Sequence, residues 1–183
     1  MRVAAMLAFG VGALAYSASA PAQHRELGAH EHGRGTLNVA VEGKRISMEL
    51  EVPAADIVGF EHAARTRQQK AAVEKAKKQL LAPQVLFKLP SIAGCTVSAA
   101  SVELESGGHD DTKKGEQKDA HSEFHAQYTF DCQTPTSLTS IEFDYFRTFP
   151  SAQRLNVNVI TPKGQTKFEA SRSKPRIDLA GMM

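Results

Sequence analysis

The chain has 183 residues, which suits one domain with a substantial buried core. Its 22 Lys and Arg residues nearly balance its 20 Asp and Glu residues, so the formal net charge is only +2. This balance argues against a nucleic-acid-binding protein. The seven histidines become the main candidates for chemistry.

Residues 1–22 have the pattern of an export signal. Arg2 precedes an apolar run too short to span a bilayer as a mature helix, and small residues follow. Cleavage after Ala20 or after Ala22 fits this pattern, and we favour Ala22 because Pro21 beside the first bond would hinder a peptidase. We therefore expect a periplasmic protein, and no later segment is apolar enough to predict a stable membrane anchor.

The remaining chain divides into three parts. We expect residues 23–34 to be a flexible, histidine-containing segment, residues 35–175 to form one domain, and residues 176–183 to be a loosely held tail.

The first structural signal is a hairpin. Residues 37–41 and 46–52 alternate apolar and polar side chains, which is typical of half-buried strands. A two-residue turn at Gly43-Lys44 places Val41 opposite Ile46, and this register puts every apolar residue on one face.

A helix is predicted over residues 67–81, after a compact apolar connector at residues 54–60. Thr66 and Gln69 fit a capping box, and the helix must end before Pro83. The predicted buried stripe consists of Val73, Ala76 and Leu80. The opposite, basic face is either solvated or a docking surface.

Further strands are predicted at residues 85–89, 95–105, 122–132, 155–160 and 166–170. Residues 138–149 are predicted to give another strand and a turn at 145–149. The strands at 95–105 and 122–132 should pair antiparallel across a long polar connector. The fold class predicted is α+β, a mostly antiparallel sheet or sandwich with one main helix packed on it.

Cys95 and Cys132 are the only cysteines. An oxidising compartment favours a disulfide between them, and the alternative is a pair of soft metal ligands. The disulfide would close a loop of about 38 residues, which the loop-entropy account values at about 4 kcal/mol.

Two pairs of histidines have spacings that bear on metal binding. His30 and His32 flank Glu31, so in an extended chain their rings leave the same face, with Cα atoms about 6.5–7 Å apart. His121 and His125 would lie ~13 Å apart on a straight strand. Either His121 lies in a bent loop end or the two residues serve different ions.

His62 lies just before the predicted helix, where the helix N-terminus disfavours a cation and keeps the imidazole neutral. The alternative is a residue that caps or packs the helix start. The metal ligands predicted are His30, His32, His62, His121 and His125. We predict auxiliary or outer-shell roles for six further residues, which are His24, His109, Glu61, Glu123, Asp110 and Asp111.

Three or four imidazoles with at most one carboxylate suit Zn²⁺. Cu²⁺ also fits, because it leads the affinity series for such ligands.

Several blocks of the chain, in order, resemble the ZrgA-type family of periplasmic zinc-binding proteins. They include residues 30–33 with 37–40, 53–56 with 59–62, 94–95, 128–132 and 146–150. The resemblance implies a single zinc-binding-type domain that helps a bacterium acquire or buffer zinc alongside a zinc ABC importer. Family members often carry a longer histidine-rich run between the two cysteine strands, where this chain has only His109, His121 and His125.

Three classes of function follow from the sequence. The first is a periplasmic protein that captures or buffers Zn²⁺ and supports a zinc-uptake system, without enzymatic activity. The second is a metal-independent envelope module with incidental histidines. The third is a zinc hydrolase with Glu61 as a base, which the lack of an H-E-x-x-H motif disfavours.

Overall fold

The computed structural model of the protein describes residues 31–106 and 121–183. The expected export signal, both candidate cleavage sites and the segment before residue 31 lie outside the described residues. The same is true of five predicted site residues, which are His24, His30, His109, Asp110 and Asp111.

The described part of the chain is mostly sheet. Its strands are β1 (Arg34–Glu42), β2 (Arg45–Pro53), β3 (Phe87–Lys88), β4 (Cys95–Ser106), β5 (Ser122–Cys132), β6 (Ser140–Phe143), β7 (Arg154–Thr161), β8 (Gly164–Ser171) and β9 (Arg176–Asp178). Its α-helices are α1 (Ala54–Val58), α2 (Arg67–Leu80), α3 (Pro83–Leu86) and α4 (Tyr145–Thr148).

Six strands form the large sheet in the order β4-β5-β2-β1-β7-β8. The β1–β2 hairpin has the register expected from its alternation, with Val41 opposite Ile46 and Leu37 opposite Leu50. Gly43 in the turn has a φ of +57°, a conformation that glycine adopts without a Cβ penalty. The predicted antiparallel pairing of β4 with β5 is also present.

The large sheet is mixed, because β1 pairs with β7 in parallel. The prediction of a mostly antiparallel sheet is therefore confirmed only in its coarser form, a sheet-rich fold with few helices. A separate three-stranded sheet has the order β3-β6-β9.

α2 is the longest helix of the described part, at 14 residues, and it begins with the expected capping box between Thr66 and Gln69. Its buried residues are Val73, Ala76 and Leu80, as predicted. The connector at residues 54–60 contains the short helix α1. The strand expected at 85–89 is shortened to β3, because residues 85 and 86 belong to α3. None of the described helices has the length and apolar character needed to cross a membrane.

One hydrophobic cluster joins the inner face of the large sheet to the small sheet and the helices. At its centre, the ring of Phe87 lies 5.9 Å from Tyr128 and 6.0 Å from Phe143, measured between ring centroids. This core makes the large sheet a rigid base for the side chains at its ends.

The chain end is ordered, contrary to the loosely held tail expected from sequence. β9 pairs with β6 in the small sheet, and Ile177 and Leu179 are buried. Apolar burial and ladder hydrogen bonds therefore hold this segment, although three strand residues give little sequence signal.

Cys95 and Cys132 form the expected disulfide. The two residues are directly opposite each other in the β4–β5 ladder, so the bridge joins the ends of the two strands.

Gly35 marks a close approach of β1 to β2. A Cβ at this position would lie 2.4 Å from Cγ1 of the buried Val52 and 3.0 Å from the main-chain oxygen of Glu51. We expect Gly35→Ala to lower the free energy of unfolding by about 1–3 kcal/mol, because the overpacked core must shift. Urea denaturation measures this effect, and an unchanged midpoint would show that Val52 yields freely.

Candidate functional site

The turn before β1 carries His32 at the end of the large sheet. The next residue, Gly33, donates its main-chain N–H to both carboxylate oxygens of Asp56, at 2.8 and 2.9 Å. The carbonyl oxygen of Gly33 accepts hydrogen bonds from the main-chain nitrogens of Gln153 and Arg154, at 2.9 and 2.8 Å. The backbone beside His32 is therefore held from two sides, while its side chain is 66% exposed.

Glu61 lies between two of the predicted metal-binding histidines. Its Oε1 is 2.9 Å from Nε2 of His32, and its Oε2 contacts Nδ1 of His121. The Glu61 side chain is only 12% exposed, whereas that of His121 is 56% exposed. We call His32, Glu61 and His121 the Glu61 cluster.

Local structure explains how these three side chains meet. His32 precedes β1, Glu61 follows α1, and His121 immediately precedes β5. Because β1 and β5 both pair with β2, the start of each strand lies at the same end of the sheet. Ser122 strengthens the connection by donating its hydroxyl to the main-chain oxygen of Glu61.

The hydrogen bonds of the Glu61 cluster determine which ring nitrogens remain available. An ionised carboxylate only accepts hydrogen bonds, so Nε2 of His32 and Nδ1 of His121 carry the protons in these contacts. In the neutral rings, the lone pairs are then on Nδ1 of His32 and Nε2 of His121. A carboxylate behind an imidazole in this way orients the ring and raises its basicity toward a metal.

His62 follows Glu61 directly, and its ring stacks on Phe60 with a centroid distance of 5.1 Å. Its Nδ1 lies 3.1 Å from the carbonyl oxygen of Ala63, an acceptor, so Nδ1 donates. The lone pair of the neutral ring is then on Nε2, which lies 3.5 Å from the side-chain nitrogen of Gln69. Nε2 of His62 therefore has only this one long contact and is accessible to a ligand that displaces Gln69.

The buried carboxyl of Asp56 lies within the same electrostatic environment. Burial raises its pKa, and the hydrogen bond from Gly33 and the charge of a protonated His32 oppose that rise. The carboxylate of Glu61 adds to the rise. Asp56 is therefore coupled to both His32 and Glu61.

His125 lies apart from the Glu61 cluster, on the outer face of β5. Its Nε2 is 3.2 Å from Oε2 of Glu123 and 3.6 Å from Oε2 of Glu105, and its Nδ1 is 4.0 Å from Oε1 of Glu51. The hydrogen bond to Glu123 is the main cause that raises the pKa of His125, and burial opposes it. This network favours the protonated imidazole, so a metal ion would have to compete with a proton at His125.

The raised pKa of His125 predicts a pH dependence of stability. A histidine whose pKa is higher in the folded state contributes stability that is complete below its unfolded pKa of about 6.5. That contribution is lost as pH rises through the folded value. In metal-free protein, we expect wild type to lose more stability than His125→Gln as pH rises above about 6.5. Denaturation at a series of pH values measures this, and parallel curves would contradict it.

The structure brings together only some of the predicted site residues. His32 and His121 meet at Glu61, His62 is adjacent in sequence, and His125 pairs with Glu123 in a different place. Within residues 31–106 and 121–183, no three His, Cys, Asp or Glu side chains are already arranged as a metal-binding group.

Sequence reasoning missed Asp56, Glu51 and Glu105. Asp56 lies in one of the blocks that carry the family resemblance, but spacing alone does not reveal its contact with Gly33. Glu105 pairs with Glu123 across the predicted β4–β5 ladder, so that register could have placed it near His125. Glu51 required the β2–β5 pairing, which joins distant segments.

The donor types at the Glu61 cluster fit zinc. Imidazole nitrogens and carboxylate oxygens are usual zinc ligands, and a tetrahedral ion takes three or four of them. In the cluster, one nitrogen of each ring is not in contact with Glu61, and His62 offers a third nitrogen nearby in sequence. Further ligands would have to come from neighbouring residues, from water or from a partner protein.

Comparison with known proteins supplies an independent finding. The sequence model described as "ZrgA family zinc uptake protein" matches residues 29–179. A search of curated protein sequences found no match.

Proposed function

The chain belongs to the ZrgA family of zinc uptake proteins, and we propose that it serves uptake by binding Zn²⁺ as cargo at the Glu61 cluster. The observation that carries this proposal is the carboxylate that His32 and His121 share. Glu61 would orient both rings and leave the other nitrogen of each ring to bind an ion.

His62 is the third ligand in this proposal. Its ring must give up only the 3.5 Å contact with Gln69 to free Nε2. His30, two residues before His32, is expected from the sequence to add a fourth nitrogen. Four nitrogen ligands would complete the tetrahedral shell that zinc prefers.

The exposure of the ligands suits delivery of the ion as well as its capture. The imidazoles of His32 and His121 are more than half exposed, so ligands from a receiving protein can reach an ion bound between them. Ligands exposed in this way favour exchange of the ion with a receiving protein. A periplasmic zinc-uptake system is the receiver we propose.

We place the protein in the periplasm and assign it a binding role without catalysis. The signal-like pattern of residues 1–22 supports export, and a disulfide is typical of proteins in oxidising compartments. Each oxygen of Glu61 contacts a histidine, which supports a role in orienting ligands.

Isothermal titration of Zn²⁺ into the purified, metal-free protein tests the proposed function. We expect saturable binding with a dissociation constant at or below about 1 μM, corresponding to about 8 kcal/mol. His125→Ala is the matched control and should bind zinc as wild type does. Absence of saturable binding would leave the metal-independent interaction module as the better explanation. A parallel titration with Cu²⁺ measures whether the protein binds Cu²⁺ more tightly than Zn²⁺.

Zinc affinity should fall as the solution becomes acidic. Imidazoles bind metal only when deprotonated, so protons compete with zinc as pH falls through about 6.5. We expect weaker binding at pH 5.5 than at pH 7.5, measured by competition with a chelator whose own pH dependence is known. Equal affinities at both pH values would mean that histidines are not the ligands.

A further inference from the structure

We propose that Asp56 is the positioning residue that places His32 for zinc binding. This inference rests on the proposed function, since it concerns a ligand of that site. Asp56 does not contact the ion itself in this account. It acts through the turn that carries His32.

Asp56 and Glu61 hold His32 at two separate points. Asp56 binds the main-chain N–H of Gly33, the residue directly after His32. Glu61 binds the ring of His32. Both carboxylates lie in the connection between β2 and α2, on or just after α1. One short segment thus sets both the backbone position and the ring orientation of the same histidine.

The geometry of Gly33 shows why the turn needs such an anchor. Gly33 has a φ of +82°, and its carbonyl oxygen is already bound by the main chain that enters β7. Its N–H would be buried without a partner if the carboxylate of Asp56 were absent, because Gly33 itself is buried. Loss of this contact should release the N-terminal side of the turn, where His32 lies.

The burial of Asp56 also separates its role from that of an ordinary surface carboxylate. It is 5% exposed, and a buried carboxylate is unfavourable unless hydrogen bonds compensate. Both of its oxygens approach a single N–H, at 2.8 and 2.9 Å. This contact fixes the position of Gly33 through its N–H, which the apolar packing of α1 does not do.

Zinc affinity of Asp56→Asn in two backgrounds tests the proposal. Asparagine keeps the size of the side chain but removes the charge, and it replaces the two-oxygen contact with Gly33 by at most one weaker, neutral hydrogen bond. We expect zinc affinity to fall roughly 10-fold in the otherwise wild-type protein, as for other residues that orient a ligand. In a His32→Ala background the same substitution should have no further effect, because Asp56 acts only through His32. Asp144→Asn, at the start of α4, is the matched control and should leave affinity unchanged.

A second readout needs no metal. In NMR spectra of the metal-free protein, Asp56→Asn should shift the imidazole signals of His32 toward those of a solvated histidine and leave those of His125 in place. If Asp56→Asn does not fold, Asp56→Ser replaces it, since serine is smaller and also neutral.

The outcomes separate this inference from the proposed function. An equal loss of affinity in both backgrounds, or unchanged His32 signals, would overturn the positioning role while zinc binding stands. If wild type itself binds no zinc, the proposed function fails, and the NMR comparison still decides whether Asp56 positions His32.

Discussion

Replacing both His32 and His121 by alanine should weaken zinc binding more than about 100-fold, because loss of an orienting residue alone typically costs 10–100-fold. The double substitution removes two ligand nitrogens and leaves Glu61 without its ring partners. Both side chains are largely exposed, so their removal should change the fold little. Competition with a chelator of known affinity measures the change.

Controls for this result come from the same chain. Glu61→Gln should give an intermediate loss, because the amide can accept from one ring but cannot accept equally from both. His125→Ala should match wild type, since its ring is engaged by Glu123 and Glu105. If His125→Ala weakened binding more than the double substitution, zinc would bind at the outer face of β5 and not at the Glu61 cluster.

Removal of the disulfide by serine substitution at both Cys95 and Cys132 should lower the free energy of unfolding by about 4 kcal/mol. The two residues are separated by 37 positions, so the bridge restricts a long loop in the unfolded chain. Cys132 is buried, and a serine hydroxyl there adds a further unfavourable term. Guanidinium denaturation of the oxidised and substituted proteins measures the difference.

Chemical reduction is the matched control for the disulfide. Wild type treated with a thiol reductant should approach the stability of the double serine variant, since both lack the covalent link. Zinc affinity of the double serine variant should change little, because Cys132 ends β5 whereas His121 precedes its start. Equal free energies of unfolding for the oxidised and reduced proteins would contradict the prediction, because the disulfide would then add no stability.

Local patterns in the sequence predicted the parts of the fold that depend on neighbouring residues. The β1–β2 register follows from alternation on either side of Gly43, and the start of α2 follows from Thr66 and Gln69. In each case the residues that decide the structure lie within a few positions of one another.

Pairings between distant segments were not predictable in the same way. Alternation along β1 and β7 shows which side chains face the core, but does not show that the two strands are parallel neighbours. Between these two strands, Nδ2 of Asn158 donates to Oδ1 of Asn38 at 2.8 Å. Nothing in the sequence of either segment predicts this contact. The short strand β9 gave no periodic signal, so its burial was missed.

For the candidate site too, local patterns predicted residues, whereas the contacts between those residues were not predictable. Histidine type and spacing predicted His32 and His121 as ligands, and Glu61 as an auxiliary residue. The meeting of the three depends on β1 and β5 both pairing with β2, which is a property of the fold. His125 has the same residue type but lies among carboxylates from three strands, and only the sheet register places those carboxylates.

Anomalous diffraction at the zinc absorption edge, from crystals of the protein loaded with one equivalent of Zn²⁺, tests the central claim most directly. We expect one dominant peak about 2.0–2.1 Å from Nδ1 of His32 and Nε2 of His121, with Glu61 behind both rings. A dominant peak beside His125 and Glu123, or a fully loaded crystal with no peak near Glu61, would contradict the account.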